Sequence, residues 1–575
     1  MELSLNLYRC AFRTLRHNPG IRFYSEKIVP LDESTVIGRI VLFMNNEYIK
    51  PNTNYKLKDE LKHPSKYSIN NVIDKFKLDR ANHISNLKSE DIEELLHIFK
   101  YDNYMSNKHH FRRLMQIIDT ECCSRLDYLD STSVLRILNQ FTQILPNKIR
   151  EYEFYNKGID RLMSEVEFLS REELLQTMFY IALEKRSKNA QVRMRSCLRH
   201  IAKEDIRSLS VEELCIICNS TFKTSTKISN LQILEIVKDT LHNKLYLLKD
   251  TALFVTLIKT LRHNRYIDED LLNTISYTIF FNKTYTYYPF PVLCHILAMY
   301  ADCLYYNEEL LELFVDLGLK QIKEVKIDLE VGNIRVKDIT RFLWILSTLA
   351  YKNVNNEIFV DVIVPNILER IKAGQYKTEI EELINSILYM WISNYQATNL
   401  ILYALTEENV ENVREIKSRT KQRLNLLLTC IFFENKKLFR QLNIKAKGSQ
   451  TFNTDHQLDQ RPNFRKVLTA LKQLTTDEPN MVVNKFDVSY EVPYLEICGI
   501  VGYTKKVYKT VYIEVLDDYV SLRNRDNVPS GPMQLKLRFL RELDNALITI
   551  PGHFVEELSQ KELQEYLKSE IEFLC

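Results

Sequence analysis

Lysines and arginines recur in this sequence at spacings that could hold a run of phosphates. Lys188, Arg195, Arg199 and Lys203 follow one another at intervals of 7, 4 and 4 residues, which on a helix places them along one face. Such a stripe is about 23 Å long at ~1.5 Å per residue. A second cluster comprises Arg414, Lys417, Arg419, Lys421 and Arg423, and a third comprises Lys436, Lys437, Arg440, Lys445 and Lys447. Contacts of this kind supply affinity for a nucleic-acid backbone and carry no base information. The cysteines offer less. Their number, 11, is odd, without disulfide-framework spacing, which suits a reducing compartment. Cys215 and Cys218 form a C-x-x-C, but within the apolar run ELCIICN and without a second pair at zinc-ribbon spacing, so they read as core. Cys122 and Cys123, like His109 and His110, are adjacent, and a helix points neighbours in different directions. No metal or cofactor is expected.

The elements that carry these side chains recur with a period. Asp130, Ser170, Ser210 and Asp250 fall at successive intervals of 40 residues, each before an apolar helical run. Ser170-x-x-Glu173, Ser210-x-x-Glu213 and Thr378-x-x-Glu381 are capping-box patterns, in which a hydroxyl and a carboxylate satisfy free backbone donors at a helix start. Ser89 precedes the series, while position 290, Asp338 and Thr378 extend it, giving about eight copies of a helical hairpin. In the copy from Ser170, EELLQTMFYIALEK forms the first helix, Arg186 to Asn189 the break, and AQVRMRSCLRHIAK the second. A lone hairpin cannot cover both apolar faces, so the period predicts an α-solenoid of stacked pairs over 85–444.

The chain has 575 residues, 45% hydrophobic and 27% charged, with only 11 glycines and 14 prolines. That balance implies a large core, long helices and more than one domain. Net charge is +3, and Arg9, Arg13, Arg16 and Arg22 against Glu2 account for it within the first 25 residues. That segment has the composition of an amphipathic mitochondrial presequence, with a cut expected after Tyr24 and a matrix location. The body is near neutral, so nucleic-acid contact must come from local patches. No run approaches the roughly 18 uncharged apolar residues of a membrane span. VIGRIVLFM reads as a strand or short helix, the rest of 25–84 as a linker or flexible arm, and 445–463 as a loop before a C-terminal domain at 464–575.

That last domain departs from the helical pattern. VYIEVLDDY is a strand with Glu514; Gly531 opens a segment in which Lys536, Arg538 and Leu540 have K-x-R-x-L spacing; LITIP is a second strand, and a closing helix ends in EYLKSEI. This order resembles a RAP domain, the module that ends many organellar RNA-binding proteins of the FAST-kinase-like group, and RFLWILSTLAYKNV (Arg341 to Val354) resembles the leucine-tryptophan helix of their repeats. The chain departs from the RAP pattern at Leu516 and Asp517, where an acid and a glycine are usual, and at Gly552, His553 and Phe554. RAP domains resemble very short members of the restriction-endonuclease-like fold. The resemblance therefore implies a nuclease-like site, for which Asp487, Glu514 and a migrated Lys536 are the candidates; Leu516 removes its third member. It also adds Lys536 and Arg538 to the expected RNA contacts.

The sequence thus predicts a mostly α chain, an α-solenoid of ~40-residue hairpins followed by a small α/β domain. The expected role is a mitochondrial RNA-binding protein that engages single-stranded or ribosomal RNA in stabilisation, processing or ribosome assembly. Two alternatives stand beside it, a structural subunit of the mitochondrial ribosome contacting ribosomal proteins and a metal-dependent RNA endonuclease.

Overall fold

A computed structural model describes residues 35–49 and 108–574, with 32, 89, 92, 93, 95 and 96, and excludes 147, 326–333, 353–355, 417, 445–451, 480, 505–509, 526 and 544–545. The expected presequence and most of the expected arm lie outside the described residues. The chain forms two compact units, Met1–Ile233 and Leu234–Cys575. It is mostly helical, with one small sheet near the C-terminus.

In the first unit the helices are α1 (Val36–Glu47), α2 (Lys108–Arg125), α3 (Ser131–Ile144), α4 (Glu153–Ser164), α5 (Arg171–Leu183), α6 (Lys188–Ile201) and α7 (Val211–Thr224). VIGRIVLFM is therefore helical, and α1 is a packed element of this unit: it lies against α7, and Tyr48 Oη donates to Glu213 at 2.9 Å. The capping boxes at Ser170 and Ser210 both form, and Asp130 accepts from the Ser133 N–H. α5 packs between α3 and α7 with α4 and α6 against it. Every residue from Leu174 to Ala182 is consequently buried, the all-round apolar character of an interior helix. Cys215 and Cys218 are likewise fully buried in α7.

The second unit takes in α8 (Leu231–Asn243), α9 (Thr251–Asn264), α10 (Glu269–Asn282), α11 (Phe290–Asp302), α12 (Glu308–Glu324), α13 (Val336–Thr348), a π-helical turn leading into α14 (Val364–Lys372), α15 (Ile380–Ile392), α16 (Thr398–Ala404), α17 (Glu407–Ile416), α18 (Ser418–Glu434) and α19 (Lys436–Leu442). First helices pack on first helices in the order α9, α11, α13, α15, α18. Two expected starts are displaced. Glu379, not Thr378, caps α15, and its side chain makes no cap bond. Asp338 lies inside α13, where its buried carboxylate accepts from Arg335 and Arg341.

The expected loop at 445–463 holds a short helix, α20 (Thr454–Gln460), and runs into α21 (Pro462–Asp477). β1 (Val483–Ser489), β2 (Gly499–Thr504), β3 (Thr510–Leu516) and β4 (Ala546–Pro551) then form a sheet in the order β1-β2-β3-β4, antiparallel until the parallel β3–β4 pair. α22 (Gly531–Glu542) makes the crossover, and α23 (Gly552–Glu557) and α24 (Gln560–Leu574) close the chain. A core of Phe464, Val467, Leu471, Phe486, Ile500, Ile513, Ile548, Leu563 and Leu567 unites α21 and α24 with one face of the sheet. α22 instead packs on α13 and α15.

Candidate functional site

The α6 stripe begins at a well-defined start. Ser187 accepts from the Ala190 N–H at 2.9 Å, and Ala190, Met194, Cys197, Leu198 and Ile201 turn inward. Lys188, Arg195, Arg199 and Lys203 are all exposed. Lys203 lies past the C-cap Ala202, so the helical part of the stripe runs from Lys188 to Arg199, about 17 Å. Arg193, on a different line of the same helix, is already neutralised by Asp160 and by Glu184 at 3.2 Å. Among the described residues, no acidic side chain pairs with the four stripe cations.

The second cluster does not form one surface. Arg414 is largely covered and pairs with Glu411 at 2.6 Å, and Arg423 lies 5.7 Å from the centre of the Tyr389 ring. Lys421 is half-buried, and Lys417 lies outside the described residues. In the third cluster Lys436, Lys437 and Arg440 belong to α19, whose start is capped by Asn435, while Lys445 and Lys447 lie outside the described residues.

In this fold Lys536 and Arg538, expected as RNA contacts, are engaged by partners within the protein. Lys536 is fully buried, and Arg538 forms an ion pair with Glu434 of α18 and donates to the Trp391 carbonyl at 3.1 Å. The same Glu434 accepts from the Trp391 indole, and Phe539 stacks on Phe433 with centroids 5.2 Å apart. α22 is thus a docking helix whose side chains are spent inside the protein.

The nuclease candidates divide in the same way. Asp487 pairs with exposed Lys485 at 2.7 Å and sits opposite Val501 on β1. The intervening β2 puts it two strand spacings, about 10 Å, from β3, so it cannot share a metal with Glu514. The partner of Glu514 is instead Glu491, which follows β1. Lys536 Nζ lies 2.5 Å from Glu514 Oε1 and 2.9 Å from Glu491 Oε2, with all three side chains buried. Both contacts are within ion-pair distance. Gly499 makes the room, because a Cβ there would come within 2.2 Å of Glu514 Oε1 and 2.6 Å of Lys536 Nζ.

Two carboxylates share one ammonium away from water. Burial pushes the Glu514 carboxyl up, Lys536 opposes this and Glu491 adds to it, leaving it at about 7. Burial pulls Lys536 down, but Glu514 and Glu491 outweigh it and hold the ammonium above its ordinary value. The ammonium fills the space between the carboxylates that a metal ion would need, so the cluster is built as an internal lock. Glu491 and Gly499 are not among the candidates the sequence offers: Glu491 follows β1 in SYEVPY and Gly499 opens β2 in ICGIVG, and neither stretch carries a signal of the cluster.

A second buried charge pins the strand ends. Arg461 donates to Asp517 at 2.9 Å, to the Cys498 carbonyl at 3.0 Å and to the Val515 carbonyl at 2.8 Å, which ties β2 and β3 to the start of α21. Asp517 is raised by burial against the opposing pull of Arg461. Asp517 therefore has a structural task.

No protein-family model matches this sequence, and no curated protein is similar to it.

Proposed function

We propose that this chain is a mitochondrial RNA-binding protein in which stacked helical hairpins, an α-solenoid, present cations to single-stranded or ribosomal RNA and a RAP-like C-terminal unit serves as a non-cutting part of the assembly. The observation that carries this reading is the α6 stripe, four surface cations with no acidic partner among the described residues. Helix starts at Ser131, Arg171, Val211, Thr251 and Phe290, spaced by 40, 40, 40 and 39 residues, support the hairpin repeat. The order α21-β1-β2-β3-α22-β4 supports the RAP-like reading, and the burial of Glu514 and Lys536 weighs against cleavage there. The mitochondrial destination rests on Arg9, Arg13, Arg16 and Arg22. A role in RNA stabilisation, processing or ribosome assembly follows from that company of features.

The test is a quadruple glutamine variant of Lys188, Arg195, Arg199 and Lys203, compared with the wild type in anisotropy titrations of several single-stranded RNAs over a salt series. Glutamine preserves helix propensity, so the fold is checked by circular dichroism. Affinity should fall for every RNA, and the slope of log K against log salt should drop by about 0.7 for each phosphate no longer neutralised. A folded variant with unchanged affinity and slope would show the stripe to be a solvated face.

A further inference from the structure

Four large aromatic side chains stand out of the second unit within a short stretch of chain: Tyr246 is 64% exposed, Tyr277 68%, Phe281 73% and Tyr287 76%. Tyr277 and Phe281, four residues apart on the outward side of α10, lie nearly parallel with centroids 5.9 Å apart and 15° between planes. Tyr246 and Tyr287 belong to the short 3-10 turns Leu245–Leu248 and Thr284–Tyr287, which lead into α9 and α11.

The two turns share a sequence and a contact. Asn243-Lys244-Leu245-Tyr246 and Asn282-Lys283-Thr284-Tyr285 repeat the pattern N-K-x-Y at a distance of 39 residues. Tyr288 Oη donates to the Leu248 carbonyl at 3.0 Å, which joins one turn to the next. Leu247, Leu248, Thr284 and Tyr288 are buried and hold the turns down, leaving Tyr246 and Tyr287 on the outer side. Lys244 and Lys283 are exposed beside them, and among the described residues neither pairs with an acid.

Solvent-facing rings of this size gain nothing for the core, and a cluster of them marks a binding surface. Flat π faces interleaved with unneutralised ammonium groups are the chemistry that takes unpaired nucleobases and their phosphates. An apolar protein partner would use the rings without needing the lysines.

We propose that this edge is a base-stacking site for single-stranded RNA, in which Tyr246, the Tyr277–Phe281 pair and Tyr287 stack bases while Lys244 and Lys283 hold the flanking phosphates. It rests on the RNA-binding reading above and adds a second surface to it, in the other compact unit from the α6 stripe. The α6 stripe supplies base-independent affinity; this edge supplies contacts that require a base.

The experiment uses the full chain and two probes of equal length and charge, a 15-nucleotide oligoadenylate and an abasic oligomer with the same phosphates. The wild type should prefer the base-bearing probe. Combined Tyr246→Ala, Tyr277→Ala, Phe281→Ala and Tyr287→Ala should lower its affinity for oligoadenylate by about 5- to 150-fold for each base that loses its ring and leave abasic binding unchanged. Tyr287→Trp should retain the preference. Lys244→Gln with Lys283→Gln should weaken both probes and reduce the salt slope by about 0.7 per phosphate released. The inference is overturned if the wild type binds both probes equally, or if the alanine variant keeps full affinity for oligoadenylate and loses a bound protein instead. A wild type that binds neither probe overturns the RNA-binding reading itself, and this edge with it.

Discussion

Glu514 holds a proton under conditions in which an ordinary carboxyl has lost it. The reason is its company: burial, one ammonium and a second carboxylate competing for that ammonium. Between its ordinary value of 4.5 and its folded value of about 7, the folded protein binds more protons at this group than the unfolded chain does. Stability from this group is therefore complete below pH 4.5 and is lost as pH rises through about 7. Urea unfolding measured from pH 4.5 to 7.5 should show the wild type losing stability from this source as pH rises. Glu514→Gln should flatten that dependence, because the amide has nothing to ionise. A glutamine variant with the wild-type slope would mean that the pH response originates elsewhere. Lys536 should not be removable in the same way, since without it two carboxylates would remain buried with no cation.

α22 shows why a sequence can announce an element and conceal its use. Gly531, Lys536, Arg538 and Leu540 make the segment recognisable, yet nothing in their spacing says that Lys536 points to the strand ends and Arg538 to Glu434. The explanation lies in contacts distant in sequence. Gly531 is the tightest of these: a Cβ there would sit 1.6 Å from the Ser347 carbonyl oxygen and 3.2 Å from Ile392 Cγ2. Gly531→Ala should therefore separate α22 from α13 and destabilise the second unit by more than the roughly 1–3 kcal/mol of ordinary overpacking. Denaturant unfolding with near-UV circular dichroism would measure this, and a variant of wild-type stability would show that the two helices do not need their close approach. Helix starts with local caps, at Asp130, Ser170 and Ser210, are legible because the capping partners lie three residues apart. Asp338 is misleading because its partners Arg335 and Arg341 bury it within α13, and Thr378 because the first turn of α15 begins one residue later than its hydroxyl could serve. The sheet is legible from its apolar runs, whereas Glu491 and Gly499 become visible only once β1, β2 and β3 are side by side.

The C-terminal sheet and the helices from α9 to α19 belong to one compact unit, and their attachment is spread over many places. The Arg523 N–H donates to the Leu304 carbonyl at 2.7 Å, Arg523 pairs with Glu269 at 3.0 Å and Arg525 with Glu308 at 2.8 Å. Arg525 also covers the Tyr306 ring at 4.0 Å, and Arg538 and Phe539 engage α18. Together with the Gly531 contact, these join the loop after β3 and the whole of α22 to helices more than 100 residues earlier in the chain. The peptide that links Ile444 to Phe452 is then a convenience of synthesis more than a mechanical necessity. If a protease site is placed at Gly448-Ser449 and cut in the folded protein, the two fragments should elute together at micromolar concentration and dissociate only in denaturant. Fragments that separate in native buffer would show that chain continuity, not the surface between them, holds the ends together. In the expected case the C-terminal segment behaves as a subunit that happens to share a chain with its partner, and it could be supplied in trans to a protein that lacks it.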